Sequence, residues 1–263
     1  MSRYFIHLAY RGSRYRGWQW QPDIQNTVQG VLERIFEKLL KRKATLYGCG
    51  RTDAEVHANQ YFMHVDIDES ELNFKNFCTE LKERLNFMLP FDISVYDVLK
   101  MPENAHARYD ALERTYHYHI HFEKNPFLNF SSSYYPNYTY DYNKMLEVVE
   151  LYKKQKDFRP MCKRPDQYKH TLCRIDAIFL EHNLETNSMI FKVTANRFLQ
   201  GMIRQLVARM LDVGRGNLSL SELERCFETG EKPKITTPAY PQGLFLHKIK
   251  YPYFEIETRA TTH

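Results

Sequence analysis

Residues 48–58 read Gly-Cys-Gly-Arg-Thr-Asp-Ala-Glu-Val-His-Ala, and this stretch organises the first half of the chain. The segments that flank it, 45–47 and 60–67, are rich in the residues that favour strands. Two glycines therefore bracket a turn that presents an arginine, a threonine, an aspartate and a histidine between two strands. A charged loop on a rigid scaffold is typical of a functional site, and Asp53 is the reactive group that this loop offers.

The pattern outside this loop predicts a mixture of strands and helices in both halves of the chain. Alternating apolar residues predict strands over 4–10, 45–48, 60–67, 93–99, 115–122, 172–181, 189–195 and 244–251. Apolar residues at helical spacing predict five helices. The first begins after Asn26 as its N-cap, the next three span 74–88, 142–153 and 198–213, and a shorter one begins at about 221. Few signals of parallel crossovers are present, so we expect an α+β fold.

Length and composition narrow the class of protein. The 263 residues, 43% hydrophobic and 26% charged, are typical of a soluble globular protein of one or two domains. The polar stretch 100–113 predicts the joint, which gives domains 1–104 and 105–263. No apolar run approaches a membrane span and no signal peptide is visible, so we expect a cytoplasmic protein. Five widely spaced cysteines form neither a disulfide framework nor a zinc motif, and Cys49 is predicted to be packed.

Basic residues form local clusters, although the net charge of +5 is modest. The first cluster combines arginines with aromatic residues: Arg11, Arg14 and Arg16 beside Tyr10, Tyr15, Trp18 and Trp20. The others are Lys41, Arg42 and Lys43, then Lys163, Arg164, Lys169 and His170. Such clusters suit contact with nucleic-acid phosphates and stacking on bases, and a solvated basic face is the alternative for each.

Asp53 has several chemical interpretations. A carboxylate in a turn caps backbone N–H groups, and it also acts as a nucleophile, a general base or a metal ligand. A metal site is disfavoured because Glu55 is the only other carboxylate in the loop. An arginine beside Asp53 would lower its pKa and keep it ionised. Arg51 is near in sequence, and Arg204, next to the apolar face of the predicted helix 198–213, is the second candidate or else a solvated residue.

The predicted strand 115–122 carries Tyr116 and Tyr118 on one face. Three histidines, His117, His119 and His121, alternate on the other face. Side chains at alternate positions of a flat strand diverge, so a wet sheet face is a better interpretation of the histidines than a metal site. The tyrosines are expected in the core, unless one of them forms the floor of a base-binding pocket.

The loop motif is similar to the active-site segment of the TruA-type tRNA pseudouridine synthases. Other segments follow the pattern of that family in the same order over nearly the whole chain: 10–12 with 17–19, 106–108 with 114–118, 196–199 with 202–204, and 243–246. The resemblance implies two ferredoxin-like α+β domains with antiparallel sheets joined across a central active-site cleft. It also implies a homodimer that binds tRNA.

The same resemblance implies an isomerase that converts uridine to pseudouridine in the anticodon stem-loop of tRNA, at tRNA positions 38, 39 and 40. Neither a cofactor nor a metal is implied. The roles carried over are Asp53 as nucleophile, Arg204 as its salt-bridge partner, Tyr116 as the ring that stacks on the uracil, and Arg51, His57 and Leu246 as substrate contacts. Whether Asp53 attacks the sugar or the base, or removes a ribose proton, stays open.

Three positions depart from the family pattern: Glu55 stands in place of Gly, Cys49 in place of Ala, and Gln200-Gly201 in place of a bulkier or more polar pair. Glu55 is expected to be strained at a positive φ. Gly201 is expected to cost about 1 kcal/mol inside a helix. Glu55 keeps open a non-catalytic or altered-target RNA-binding paralogue, and the remaining alternative is an unrelated hydrolase that uses Asp53 and His57.

Overall fold

A computed structural model describes residues 1–22, 26–136, 139–234 and 236–256 of the chain. The strands in these ranges are β1 (Ser2–Tyr10), β2 (Tyr47–Gly48), β3 (His57–Ile67), β4 (Ile93–Met101), β5 (Glu113–His121), β6 (Ser133–Tyr134), β7 (Ile175–Asn183), β8 (Ser188–Ala195) and β9 (Leu244–Lys250). The α-helices are α1 (Val28–Leu40), α2 (Phe77–Met88), α3 (Tyr142–Lys154), α4 (Met202–Gly214) and α5 (Leu220–Thr229). Mostly antiparallel strands combined with these helices confirm the α+β class.

The helical periodicity predicted all five helices, but three of them begin later than expected. The N-cap of α1 is Thr27 rather than Asn26, because the Thr27 hydroxyl accepts the Gly30 N–H at 3.2 Å. Phe74 precedes α2. Residues 198–201 lie outside α4. Gly201 is the N-cap of α4, and its left-handed backbone, with φ 72°, prevents the helix from starting earlier. No helix in the described part of the chain is long and apolar enough to cross a membrane.

The chain divides into two compact units, Met1–Leu112 with the residues from Phe245 on, and Glu113–Leu244. The predicted division had assigned 105–112 and 245–263 to the second domain, and residues 257–263 lie outside the described residues. The last strand belongs to the first unit because β9 pairs in parallel with β3, with Phe245 opposite His57. That each unit folds as an independent domain stays a prediction.

The first unit is built on a sheet with strand order β4-β1-β3-β9, and β2 adds to β3. The strand β1 is antiparallel to both β3 and β4, and its central residues are fully buried. The helix α2 packs against β4 through the buried Leu81 and Leu85. The helix α1 buries one face, as its periodicity predicted: Val28, Leu32, Ile35, Phe36 and Leu40.

The second unit contains the antiparallel strands β5, β8 and β7, with β6 parallel to the end of β5. The helix α3 packs against β7, α4 and α5. The buried Tyr152 of α3 donates its hydroxyl to the Leu206 carbonyl of α4 at 3.0 Å. This bond fixes α4, and with it the backbone of Arg204, against α3.

A buried histidine holds residues 105–109 against the sheet of the first unit. The Nδ1 atom of His64 accepts the Ala107 N–H at 3.2 Å, and the ring stacks on Tyr47 with 4.8 Å between centroids. Burial lowers the pKa of His64 to about 4, with smaller contributions from Arg3 and His106. His64 is therefore neutral at pH 7, as an acceptor Nδ1 requires.

This neutral histidine predicts an acid-sensitive step in stability. Its pKa is lower in the folded state, about 4 against 6.5, so the unfolded state binds the proton first as the pH falls. The contribution of His64 is fully present above pH 6.5 and is lost between pH 6.5 and 4. The variant His64→Asn keeps a hydrogen-bond acceptor but does not titrate. Between pH 6.5 and 4 we expect its free energy of unfolding to fall by about 1–3 kcal/mol less than that of the wild type. Urea unfolding at several pH values measures the difference, and parallel pH profiles of the two proteins would contradict it.

Candidate functional site

The loop of residues 48–58 is fixed on one side by the strand that follows it. The Cys49 N–H donates to the Phe62 carbonyl at 2.8 Å, and the Tyr61 hydroxyl donates to the Gly50 carbonyl at 2.5 Å. Cys49 is fully buried, which confirms its predicted packing. The first turn of the loop is therefore held by backbone bonds and by a side chain of the core.

The other side of the loop is fixed by residues 12–18. The Trp18 N–H donates to the Thr52 carbonyl, and the Glu55 N–H donates to the Tyr15 carbonyl, both at 3.1 Å. A Cβ atom at Gly12 would lie 2.0 Å from the Val56 carbonyl oxygen, so glycine alone permits this approach. The two loops consequently pack as one rigid element.

His57 supports this element from beneath. Its Nδ1 atom accepts the Gly12 N–H at 3.0 Å, and its buried ring stacks on Phe245 with 4.4 Å between centroids. Leu246, the next residue of β9, is also buried. The structure gives both residues supporting positions, and their contact with a substrate stays a prediction. The hydrolase that would use His57 as a catalytic base loses its main support, because the ring is buried and its Nδ1 is occupied.

Asp53 is exposed, although its loop is firmly held. Thr52 on one side is buried and its hydroxyl bonds to the Tyr10 hydroxyl at 2.8 Å, while Val56 on the other side is also buried. Arg51 is exposed in the same turn. The arrangement presents a carboxylate to solvent from a fixed backbone, which is what a nucleophile or a general base requires.

Glu55 adopts the strained conformation that the sequence predicted. Its φ is 67°, in the left-handed region that favours glycine. The side chain is exposed, so the strain is in the backbone and does not arise from crowding. The departure from the family pattern therefore changes the energy of the loop while its backbone path keeps the glycine-like shape.

Arg204 lies in the first turn of α4, in the second unit. Its Nε atom donates to the Ala239 carbonyl at 2.6 Å, and its own carbonyl accepts the Ala239 N–H at 3.0 Å. The guanidinium is only partly exposed and is oriented by a backbone group. The bond to Ala239 disfavours the alternative of a solvated helix residue.

The segment 236–239 supports Arg204 structurally, which the sequence analysis did not predict. Besides Ala239, its carbonyls at Thr236 and Thr237 accept bonds from Gln205 at 2.8 Å and from Arg209 at 2.9 Å. Polar residues inside an otherwise apolar stretch of helix, at 205 and 209, were the available signal. These bonds stabilise the backbone that orients Arg204.

The two tyrosines of β5 differ in environment. Tyr118 is fully buried, and its hydroxyl donates to the Tyr240 carbonyl at 2.7 Å, so it belongs to the core. Tyr116 is partly exposed and packs edge-on against Phe198 with 5.1 Å between ring centroids. Tyr116 is thus the tyrosine of this strand whose ring is open to a ligand.

The histidine face of β5 is only partly wet. His117 and His119 are partly exposed, but His121 is buried, with its Nδ1 atom 2.8 Å from the Ser132 hydroxyl, so its predicted exposure is wrong. Burial lowers the pKa of His121. Within the described ranges no three His, Cys, Asp or Glu side chains come together to hold a metal ion.

The first basic cluster presents arginines but few rings. Most of its aromatic residues are buried, and Trp18 stacks on Tyr61 with 4.0 Å between centroids, so the prediction of base stacking is wrong for Tyr10, Tyr15 and Trp18. Trp20 is exposed. Charged groups that stay exposed are Arg11, Arg14, Arg16, Lys41 and Lys43.

Three of the basic candidates have local partners, and one of them is Arg11, whose guanidinium carbon lies 5.8 Å from the centroid of the Phe91 ring. The guanidinium carbon of Arg14 lies 4.9 Å from the centroid of the exposed Phe91 ring. Arg42 pairs with Glu71 through its Nε atom at 3.0 Å. Arg42 is therefore partly neutralised by its own chain, whereas Arg14 keeps its charge beside an exposed ring.

These features define an α+β protein that presents a carboxylate on a rigid loop. The family model described as tRNA pseudouridine synthase matches residues 149–252. The chain is 36% identical to tRNA pseudouridine synthase A of Azobacteroides pseudotrichonymphae, over 96% of this chain and 98% of the relative. The corresponding proteins of Porphyromonas gingivalis and Bacteroides thetaiotaomicron are 34% and 37% identical, over 96% and 99% of this chain and 98% and 96% of the relatives. The chain belongs to the tRNA pseudouridine synthase family.

The strain at Glu55 predicts an unusual response to glycine. We expect Glu55→Gly to leave the free energy of unfolding unchanged or to raise it by up to about 1 kcal/mol, because glycine adopts a positive φ without a steric penalty. Glu37→Gly, at an exposed site inside α1, is the matched control and should lower it by about 1 kcal/mol. Chemical denaturation measures both, and equal losses in the two variants would contradict the strain.

Proposed function

We propose that the protein converts uridine to pseudouridine in the anticodon stem-loop of tRNA, with Asp53 as the catalytic carboxylate. The observation that carries the proposal is an exposed aspartate on a backbone held by buried neighbours, in a chain that is related to these enzymes over nearly its whole length. The residues assigned to uridine binding are Tyr116, Arg51, Leu246 and His57. The alternative, an RNA-binding paralogue with weak or altered activity, is favoured by the strained Glu55 alone.

The reaction is an isomerisation. The bond from C1′ of the ribose to N1 of the uracil breaks, a bond from C1′ to C5 forms, C5 loses a proton and N1 gains one, so atoms and electrons balance without a co-reactant. A carboxylate promotes this exchange by attacking the sugar or the base, or by removing a ribose proton. This chemistry therefore requires one ionised carboxylate and does not require a cofactor or a metal.

A uridine in a stacked arm must turn out before it reacts. Extrusion of a base costs a few kcal/mol, and stacking on an aromatic ring returns about 1–3 kcal/mol. The partly exposed ring of Tyr116 is suited to this role. In this proposal Arg204, whose guanidinium is oriented by Ala239, is the salt-bridge partner of Asp53, and the exposed basic residues of the first unit contact phosphates.

The family resemblance further supports a homodimer of chains with two ferredoxin-like domains each, which acts in the cytoplasm. These assignments are part of the same proposal. They predict that two copies of the chain bind tRNA together, a point that sedimentation of the protein with and without tRNA addresses.

Replacing the carboxylate tests the mechanism. We expect Asp53→Asn to lower the rate of pseudouridine formation by at least about 1,000-fold, because the amide is neither a nucleophile nor a base, and to leave tRNA affinity within about threefold. Glu55→Gln removes a neighbouring carboxylate from the same loop and should retain most of the rate. The measurement is release of tritium from C5-labelled uridine, with filter binding for affinity. An active Asp53→Asn protein would refute the mechanism, and a wild type that binds tRNA without changing it would establish the paralogue.

Arg204 is tested by the division of its effect between turnover and binding. We expect Arg204→Ala to lower kcat by about 100-fold or more with little change in tRNA affinity, because its charge acts on the reacting carboxylate. Gln205→Ala, in the same turn and bonded to the same segment, should change both by less than about fivefold. Equal losses of kcat and affinity in Arg204→Ala would instead assign Arg204 to a phosphate contact.

A further inference from the structure

The first unit contains an open cavity that shares Arg51 with the proposed uridine contacts and has no other part in the proposed reaction. Its volume is about 230 Å³, below the range of about 300–1,000 Å³ typical of sites that enclose a whole small molecule. The residues that shape it are Trp18, Tyr47, Arg51, His106, Arg108 and Tyr109. A cavity of this size fits one planar ring and leaves the rest of a longer ligand outside.

The walls of the cavity are aromatic and largely exposed. Tyr47 is 47% exposed and Tyr109 is 75% exposed, although large aromatic side chains are usually more buried than this. The Tyr109 ring lies 4.3 Å from that of His106, which in turn lies 6.0 Å from that of Tyr47, between centroids. The planes of these ring pairs are tilted by 35° and 59°, so the exposed rings of Tyr109 and Tyr47 offer separate faces rather than one flat surface.

The rings are held in place by the backbone around them. The Nδ1 atom of His106 accepts the N–H groups of Arg108 and Tyr109, at 3.1 and 3.3 Å. The ring of His64, behind the cavity, stacks on Tyr47 and meets His106 edge-on at 4.6 Å. The surface is thus preorganised, which lowers the entropic cost of binding.

The charge of the cavity is positive. Arg51 and Arg108 contribute guanidinium groups, and no acidic side chain is among the described residues that line it. Burial lowers the pKa of His106, so this histidine offers a neutral ring near pH 7. Two exposed cations beside aromatic rings suit a base that is attached to a phosphate backbone.

The cavity lies beside the loop that carries Asp53, so a base bound there would be close to the target uridine. Gly50 and Arg51 line it, and they belong to the same rigid loop as Asp53. We propose that the cavity binds one unpaired base of the RNA substrate, a neighbour of the target uridine, with stacking on Tyr109 and Tyr47 and phosphate contacts from Arg51 and Arg108. This inference rests on the proposed action on RNA and adds a second nucleotide site to it.

The experiment measures binding in an Asp53→Asn background, so that it does not depend on turnover. The probe is an unmodified anticodon stem-loop RNA and a set of copies that each lack one base. We expect Tyr109→Ala to weaken binding roughly 5- to 100-fold, as expected for one stacked base, while Tyr109→Phe keeps the affinity. Phe87→Ala removes a ring that is 82% exposed and has Arg84 beside it, and should have no effect.

The set of abasic RNAs locates the contact. One abasic position should weaken RNA binding to the protein with Tyr109 by the same factor as Tyr109→Ala does. That abasic RNA should bind Tyr109→Ala no more weakly than the intact RNA does, because both changes remove the same interaction. Arg108→Gln should reduce the salt dependence of binding by about 0.7 in the log–log slope, and Arg84→Gln should not. Additive losses at every abasic position, or equal effects of Tyr109→Ala and Phe87→Ala, would overturn the inference. Failure of the proposed function shows separately, as a wild type that forms no pseudouridine.

Discussion

The close packing of two loop backbones is the constraint on which the candidate site depends. Gly12 lets residues 12–18 approach the loop that carries Asp53 to a distance that any side chain would prevent. That approach allows the backbone bonds from Trp18 to Thr52 and from Glu55 to Tyr15. An exposed loop would ordinarily be mobile, and a mobile carboxylate loses much of the advantage of orientation. The glycine therefore helps to hold the backbone that carries Asp53 in place.

Much of the fold was predictable from local pattern. Alternation located the strands of both units except β6, and helical spacing located all five helices, since these elements bury one face in their own unit. The differences lie where local pattern is silent. The start of α4 depends on the left-handed backbone of Gly201, and β9 joins the first unit through a parallel pairing with β3 that is distant in sequence. Neither depends on the periodicity of the segment itself.

The site was predictable in part for the same reason. The roles of Asp53 and Arg204 come from the motif and the family resemblance and stay proposals, whereas the positive φ of Glu55, expected from the glycine that it replaces, is confirmed. The burial of Trp18 and the anchoring of Arg204 by Ala239 were not visible. A ring near arginines has the same sequence pattern whether it stacks on a base or on Tyr61, and only the packing of the core distinguishes the two.

The supports of the site share a physical property that suits a protein that binds a polyanion. Gly50 is held by the Tyr61 hydroxyl, and Arg204 is oriented by the Ala239 carbonyl. Exposed ion pairs contribute little and are screened by salt, and the phosphates of a nucleic acid would compete for their cations. Hydrogen bonds to backbone groups have no such competitor. Within each unit, the backbone that carries Asp53 or Arg204 can therefore keep its local geometry while exposed arginines and lysines exchange their counterions for RNA. Binding and positioning then depend on different kinds of interaction.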